Sequence, residues 1–183
     1  VSDRVANMSH HRLLAKEQKT FELGTCSPGN FAAAMEIINY VCSIGKHFID
    51  SDDRKALYKE GMRRIHLQER ALLYHMLEGT EEIPGLRHIE GVHIYTDTQD
   101  LTCRDLIAAI GIDNINYTQC VAEYQKRGVT VYERINTSIY SKRIVEALGL
   151  TGAIRVSPLH CHGTEDIDKF LKITGEIARE YAG

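Results

Sequence analysis

Several common signatures are absent from the 183-residue chain, and each absence excludes a class of protein. No run of apolar residues is long enough to cross a bilayer, so no membrane span is predicted. The sequence contains neither a His-Glu-x-x-His metal motif nor a glycine-rich phosphate loop. The net charge of −3 provides no basic field that would attract nucleic acid or anionic lipid.

The cysteine pattern excludes a disulfide framework. The five cysteines are widely spaced, and no Cys-x-x-Cys pair occurs. An odd number of scattered cysteines predicts reduced thiols and therefore a cytoplasmic protein. The chain opens on Val1 rather than on methionine, so we expect it to be cut or processed from something longer.

Hydrophobic periodicity indicates both helices and strands. Five segments have the apolar spacing or the flanking caps that are typical of helices: 31–45, 51–78, 116–127, 141–148 and 164–181. Four short apolar, β-branched or aromatic runs indicate strands: 92–95, 106–112, 129–132 and 153–157. Gly45 is predicted to end the first helix, and Thr164 is predicted to cap the last one.

This order of elements predicts an α+β fold. Two helices come first, and strands then alternate with helices. We expect a small mixed or antiparallel sheet of about four strands, packed with helices. There is no internal repeat and no low-complexity tract.

One charged residue stands inside an otherwise apolar strand. Arg155 lies between Ile154 and Val156, and a charge is rarely buried without a partner. One interpretation is a sheet-edge ion pair with Glu133 or Asp166. The other is bidentate capture of a carboxylate, for which the guanidinium group is suited. Composition and spacing alone favour the ion pair.

Two other segments contain candidate binding residues, with a weaker sequence signal than Arg155. Gly24 and Thr25 form a turn that either caps the following helix or presents a hydroxyl and a backbone N–H to a phosphate. His160, Cys161 and His162 are adjacent, and side chains of adjacent residues on an extended chain point to opposite faces. We therefore predict no metal site there.

Taken together, four segments resemble a known family. Phe21–Thr25, followed by a helix, is similar to the Arg-Phe-Glu-x-Gly-Thr segment of the class V aminotransferases. Gly128–Val131, Ala153–Ser157 and Ile167–Phe170 resemble the closing part of the same family, in the same order. The family includes the cysteine desulfurases, selenocysteine lyases and isopenicillin N epimerase-like proteins, which are fold type I enzymes dependent on pyridoxal phosphate.

The resemblance implies a site that is shared with other parts of an enzyme. It implies that Thr25 reaches the cofactor phosphate, often across a homodimer interface, and that Arg155 holds the α-carboxylate of an amino-acid substrate. It covers only the back part of such an enzyme. Residues 1–50 would be a connector and an interdomain helix after a missing N-terminal cofactor domain, and residues 51–183 the small C-terminal domain.

The chain also departs from the family pattern. Lys16 and Lys19 do not stand in the expected Ser-x-His-Lys setting, so no Schiff-base lysine is recognisable and no catalytic residue is assigned. The loop after Tyr132 lacks the sulfur-accepting cysteine of a desulfurase.

Three hypotheses about function follow from these observations. The first is a C-terminal fragment of a pyridoxal-phosphate enzyme of the class V aminotransferase type, inactive on its own. The second is a cysteine desulfurase or selenocysteine lyase, with Cys161 as a displaced nucleophile. The third is a non-catalytic α/β binding or regulatory module in which Arg155 has only a structural role.

Overall fold

The computed structural model describes residues 27–182, and the chain divides into two compact units, residues 1–61 and 62–183. The first unit contains helix α1 (Pro28–Lys46) and the beginning of helix α2 (Arg54–Glu78). No helix between residues 27 and 182 combines the length and the apolar character needed to span a bilayer.

Two glycines allow the helices of the first unit to touch through their backbones. A Cβ atom built on Gly45 would lie 2.0 Å from the carbonyl oxygen of Leu57, and one built on Gly61 would lie 2.0 Å from that of Val41. No other residue type fits at these two positions without moving one of the helices. Helix α1 ends at Lys46, one residue beyond the predicted end at Gly45. Gly45 does not terminate the helix, since it lies inside α1 at the contact with α2.

The first half of α1 leaves its apolar stripe exposed. Phe31, Met35 and Ile38 belong to the predicted stripe, and all three are exposed. Val41 and Gly45, further along the same helix, are buried. The stripe is therefore covered only where α1 approaches α2.

The second unit is built on a four-stranded antiparallel sheet with the strand order β1-β2-β4-β3. Its strands are β1 (Val92–Tyr95), β2 (Ala108–Ile112), β3 (Tyr132–Ile135) and β4 (Gly152–Val156). Its remaining helices are α3 (Tyr117–Lys126), α4 (Lys142–Ala147) and α5 (Thr164–Tyr181), with a 3-10 turn at Leu86–His88. The predicted α+β fold with a small antiparallel sheet is confirmed.

One face of the sheet carries the hydrophobic core. Ile110, Ile154 and Val156 project from the two interior strands into this core and are buried. Helices and connecting segments supply the rest of the core. The helical part includes Leu73 and Leu77 from α2 and a larger group from α3 and α5: Cys120, Tyr124, Ile167, Phe170, Leu171 and Ile177. The opposite face of the sheet lies outside this cluster.

The third strand begins three residues later than predicted. The N–H of Val129 donates to the carbonyl of Tyr124 and that of Gly128 donates to Gln125, which closes α3 with a Schellman motif. Gly128 has the positive φ of 73° that this motif requires. Since Val129 is used to end the helix and Val131 is buried in the core, strand pairing starts at Tyr132.

The predicted cap of the last helix is also off by one residue. Gly163, not Thr164, occupies the N-cap position of α5. The carboxylate of Asp166 accepts the backbone N–H of Gly163 at 3.0 Å, which satisfies a donor that the helix itself leaves unpaired.

A half-buried arginine ties α2 to the loops around the 3-10 turn. Arg87 donates to both carboxylate oxygens of Asp97, at 2.8 and 2.7 Å, and to the carbonyl of Thr98 at 2.8 Å. It also pairs with Glu78, whose other oxygen contacts His88. Hydrogen bonds from His88 and Arg87 lower the pKa of Glu78, and Arg87 lowers the pKa of Asp97.

Replacing Gly45 or Gly61 by alanine is expected to destabilise the first unit. Each added methyl group must separate two backbones, and such overpacking costs about 2 kcal/mol. Denaturant unfolding of Gly45→Ala and Gly61→Ala measures the loss. Gly29→Ala is the matched control, because a Cβ there meets nothing within 4 Å. Equal stability of Gly45→Ala and Gly29→Ala would show that the helix contact is loose.

Replacing Arg87 by methionine is expected to destabilise the second unit and to weaken its dependence on pH. Both carboxylates have lowered folded-state pKa values, so their contribution is present above about pH 4 and is lost as the pH falls through those values. Removing the half-buried cation and its charge-assisted hydrogen bonds should cost about 2 kcal/mol at pH 7. Unfolding measured between pH 2 and pH 7 tests this, and an unchanged pH slope in Arg87→Met would contradict it.

Candidate functional site

Arg155 lies in the middle of the sheet rather than at its rim. It is the fourth residue of β4, an interior strand, and it pairs with Ala109 of β2 on one side and with Tyr132 of β3 on the other. Side chains alternate along a strand, so Ile154 and Val156 enter the core while Arg155 points to the opposite face. The core residues on either side thereby hold the arginine on the open face of the sheet.

Arg155 has no acidic partner within the described residues. Its Nε atom is buried without a hydrogen-bond acceptor, and the rest of the guanidinium group forms no hydrogen bond or ion pair with residues 27–182. The contact that remains is with the ring of Tyr132, whose centroid lies 6.0 Å from Cζ. A buried donor without an acceptor carries a free-energy cost that a bound anion would remove.

Neither acid considered in the sequence analysis reaches Arg155. Glu133 pairs across the sheet with Ile154, so its side chain lies on the core face, where it accepts a hydrogen bond from Thr118 at 3.3 Å. Asp166 is occupied with the N-terminus of α5. The ion-pair interpretation is therefore wrong for both carboxylates.

Two cavities meet at Arg155. The more polar one, of about 390 Å³, lies between the loop before β3, the end of β4 and the start of α5. Its polar lining includes Thr130, Ser157, His162, Asp166 and Lys169. Lys169 also donates to the carbonyl of Gly128 at 3.2 Å, which holds α5 against this loop.

The second cavity, of about 320 Å³, lies on the open face of the sheet beneath α4. Its floor includes Ala109 and Ala153, the small residues on either side of Arg155 on that face. Its wall is largely apolar and is formed by side chains of α4 and the segment that follows: Ile144, Val145, Leu148 and Leu150. Three arginines and no acidic residue line it: Arg104, Arg134 and Arg155.

The three arginines are not equivalent. Arg104 donates to the backbone carbonyls of Thr96 at 3.1 Å and Ile107 at 3.2 Å, so it is part of the loop structure. Arg134 pairs with Ala153 and is thus a diagonal neighbour of Arg155 on the same face. Within the described residues Arg134 forms no ion pair, and the sequence analysis missed it because β3 was placed three residues too early.

No described cysteine of the second unit is among the residues that line these cavities. Cys161 is exposed in the turn before α5, and neither cavity is lined by it. Cys120 is buried in the core, and burial raises the pKa of its thiol to about 12, so it stays protonated at neutral pH. Among residues 27–182, no three His, Cys, Asp or Glu side chains are grouped so that they could hold a metal ion.

Thr25, the other residue assigned a role by resemblance, lies outside the described residues. The structure therefore places Arg155 and its two cavities, and the role of Thr25 in binding a cofactor phosphate stays a prediction.

Comparison with known proteins identifies the fold. No family model and no curated protein matches the sequence. The apo structure of a cysteine desulfurase from Thermococcus onnurineus NA1 is similar, with a TM-score of 0.55 and 19% sequence identity, over 69% of this chain and 29% of that chain. The chain shares its fold with part of that enzyme. The predicted resemblance is confirmed at the level of the fold.

A second solved structure is similar over a comparable stretch. It is the cysteine desulfurase CsdA from Escherichia coli in its S-sulfonic acid form, with a TM-score of 0.49 and 13% identity, over 73% of this chain and 32% of that chain. The chain thus spans less than a third of the length of either enzyme.

Replacing Arg155 by leucine is expected to leave the fold intact and to raise its stability by about 1 kcal/mol. The change removes a buried donor without an acceptor from a position with small apolar neighbours. Denaturant unfolding measures the difference, and Arg87→Leu is the matched control, because Arg87 has a full set of partners and its loss should destabilise. If Arg155→Leu were as destabilising as Arg87→Leu, Arg155 would have a structural role.

Proposed function

We propose that the chain is the C-terminal part of a pyridoxal-phosphate enzyme of the class V aminotransferase type, and that Arg155 binds the α-carboxylate of its amino-acid substrate. The observation that carries this proposal is the position of Arg155. It stands on an interior strand, at the junction of two cavities, without an acidic partner among the described residues. A planar guanidinium group in such a place is suited to a two-point hydrogen bond with a carboxylate.

The surroundings of Arg155 favour orientation of a bound carboxylate. Its strand is hydrogen-bonded on both sides, so the backbone of Arg155 is held by the sheet. The Tyr132 ring restricts the guanidinium group on one side. Burial of Nε strengthens its interaction with an anion, because competing water is excluded. This arrangement would fix the orientation of a substrate, which contributes to rate by positioning.

The cofactor would be held largely by residues outside those described. Pyridoxal phosphate, when bound, supplies the electron sink that such an enzyme requires. Thr25 is the proposed contact to its phosphate, and the cofactor lysine is proposed to precede Val1. Within the described residues, the observed site suits the substrate carboxylate, and that is the role we assign to it.

The desulfurase alternative has less support within this chain. A desulfurase needs a thiolate nucleophile at the site. None of the four described cysteines lines either cavity, and Cys161 faces solvent in a turn. The third hypothesis, a non-catalytic module, requires a structural role for Arg155, which its missing partners do not favour.

The proposed assembly follows the same resemblance. Residues 1–50 would connect to the N-terminal cofactor domain and residues 51–183 would form the small domain of a cytoplasmic homodimer. The exposed apolar side chains of α1, among them Phe31 and Ile37, are consistent with packing against a further domain.

In an enzyme that also contains the cofactor domain, Arg155→Gln is expected to raise KM for the amino acid by about 100-fold or more. A bidentate charge-assisted pair contributes on the order of 3 kcal/mol, and the glutamine amide cannot replace it. Cofactor absorbance should be unchanged, because Arg155 is assigned to the substrate. Steady-state kinetics with Arg155→Lys as the conservative variant tests the proposal, and a normal KM in Arg155→Gln would contradict it.

The 183-residue chain alone is expected to be inactive and to form no covalent cofactor adduct at a specific lysine. Incubation with pyridoxal phosphate, followed by absorbance and mass spectrometry after reduction, measures this. Lys16→Ala and Lys19→Ala serve as controls. A bound-cofactor absorbance band that one of these two changes abolishes would overturn the prediction.

A further inference from the structure

The apolar cavity beside Arg155 indicates what kind of side chain the proposed amino-acid substrate has. We infer that it receives a large apolar side chain, leucine-like or phenylalanine-like, of the amino acid whose carboxylate Arg155 binds. This inference rests on the proposed function of Arg155 and adds the substrate class.

The apolar cavity has room for a side chain next to Arg155. Arg155 is shared by the two cavities, so a ligand anchored there by its carboxylate has access to both. The apolar cavity of about 320 Å³ is within the size range of small-ligand sites. Ala109 and Ala153 keep its floor open, since larger side chains at these positions would fill the space next to the guanidinium group.

The wall that α4 contributes to this cavity is apolar. Ile144 and Leu148 are 63% and 50% exposed, so they present apolar surface that nothing in the described chain covers. If the bound amino acid had a thiol or a methyl side chain, most of this surface would stay exposed to water. A branched or aromatic side chain would cover it. Covering it is favourable in proportion to the apolar area removed from water.

The charged side chains that line the cavity are all positive. Arg134 and Arg155 are diagonal neighbours on one face, and no acidic residue lines the cavity. Two adjacent cations without a counter-ion favour a ligand with an anionic end. The charges thus account for an anionic end of the ligand at the arginines, and the apolar wall of α4 accounts for its apolar end.

Titration of the isotopically labelled 183-residue chain by NMR tests the inference. The ligands are L-leucine, L-phenylalanine, L-alanine, L-glutamate and leucinamide, which lacks the carboxylate. Leucine is expected to bind about 50-fold more tightly than alanine, because each of its three further carbon atoms contributes a factor of about four when buried. Leucinamide and glutamate should bind more weakly than leucine.

Variants separate the two parts of the site. The double variant Ile144→Ser, Leu148→Ser should reduce leucine affinity by about tenfold or more and leave alanine unchanged. Ile139→Ser is its control, since Ile139 is 85% exposed and does not line the cavity. Arg155→Gln should abolish binding of both amino acids.

The possible outcomes are distinguishable. Suppose that Arg155→Gln abolishes binding. If leucine and alanine then bind equally well, or glutamate binds more tightly than leucine, the apolar substrate class is overturned and Arg155 remains the carboxylate anchor. Leucinamide binding as tightly as leucine, with no effect of Arg155→Gln, would overturn the proposed function and this inference together. Absence of binding by every ligand would also overturn both.

Discussion

The register of β4 between its two neighbours is the constraint on which the site depends. Ile154 lies opposite Ile110, and both are fully buried in the core. This pairing leaves Arg155 opposite Ala109 and on the other face of the sheet. A slip of one residue would bury the arginine and expose Ile154, so the hydrophobic core itself selects the orientation of the charged group.

Two partly buried arginines of the second unit, Arg87 and Arg155, show what that orientation costs. Arg87 has both oxygens of Asp97, the carbonyl of Thr98 and the carboxylate of Glu78 as partners, and it links α2 to the following loops. Arg155 has a buried Nε without an acceptor and a tyrosine ring at 6.0 Å. The same residue type therefore stabilises the fold in one place and is left incompletely satisfied in the other. The incompletely satisfied guanidinium group lies at the junction of two cavities, and this is the observation behind its proposed role in ligand binding.

Much of the fold could be predicted from periodicity, because burial of one face leaves a pattern in the sequence. The helices and the strands β1, β2 and β4 lie within a few residues of their predicted positions. The position of β3 could not be obtained in this way. Val129 and Val131 have the composition of a strand, but the end of α3 uses the N–H of Val129 and the core uses the side chain of Val131. The role of Gly45 was missed for a similar reason, since it depends on a helix contact that is distant in sequence.

The candidate site was predictable only in part. Arg155 is conspicuous in the sequence as a charge in an apolar strand, but its lack of a partner is a property of the sheet. Glu133 is excluded because its own strand register turns it to the core face. Arg134 is recognised as a neighbour of Arg155 once β3 is known to start at Tyr132. The alternation of side chains then places Tyr132 and Arg134 on the same face as Arg155.

The site also separates two functions between different elements. The proposed anion binding depends on β4 and its hydrogen-bonded neighbours, whose positions the core holds. The apolar wall belongs to α4, a helix of six residues whose exposed side chains contribute little to that core. Substitutions on α4 can therefore alter the shape of the wall without disturbing the sheet. Under the proposed function, this fold can keep one carboxylate anchor while the accepted side chain changes, because the two are stabilised by different contacts.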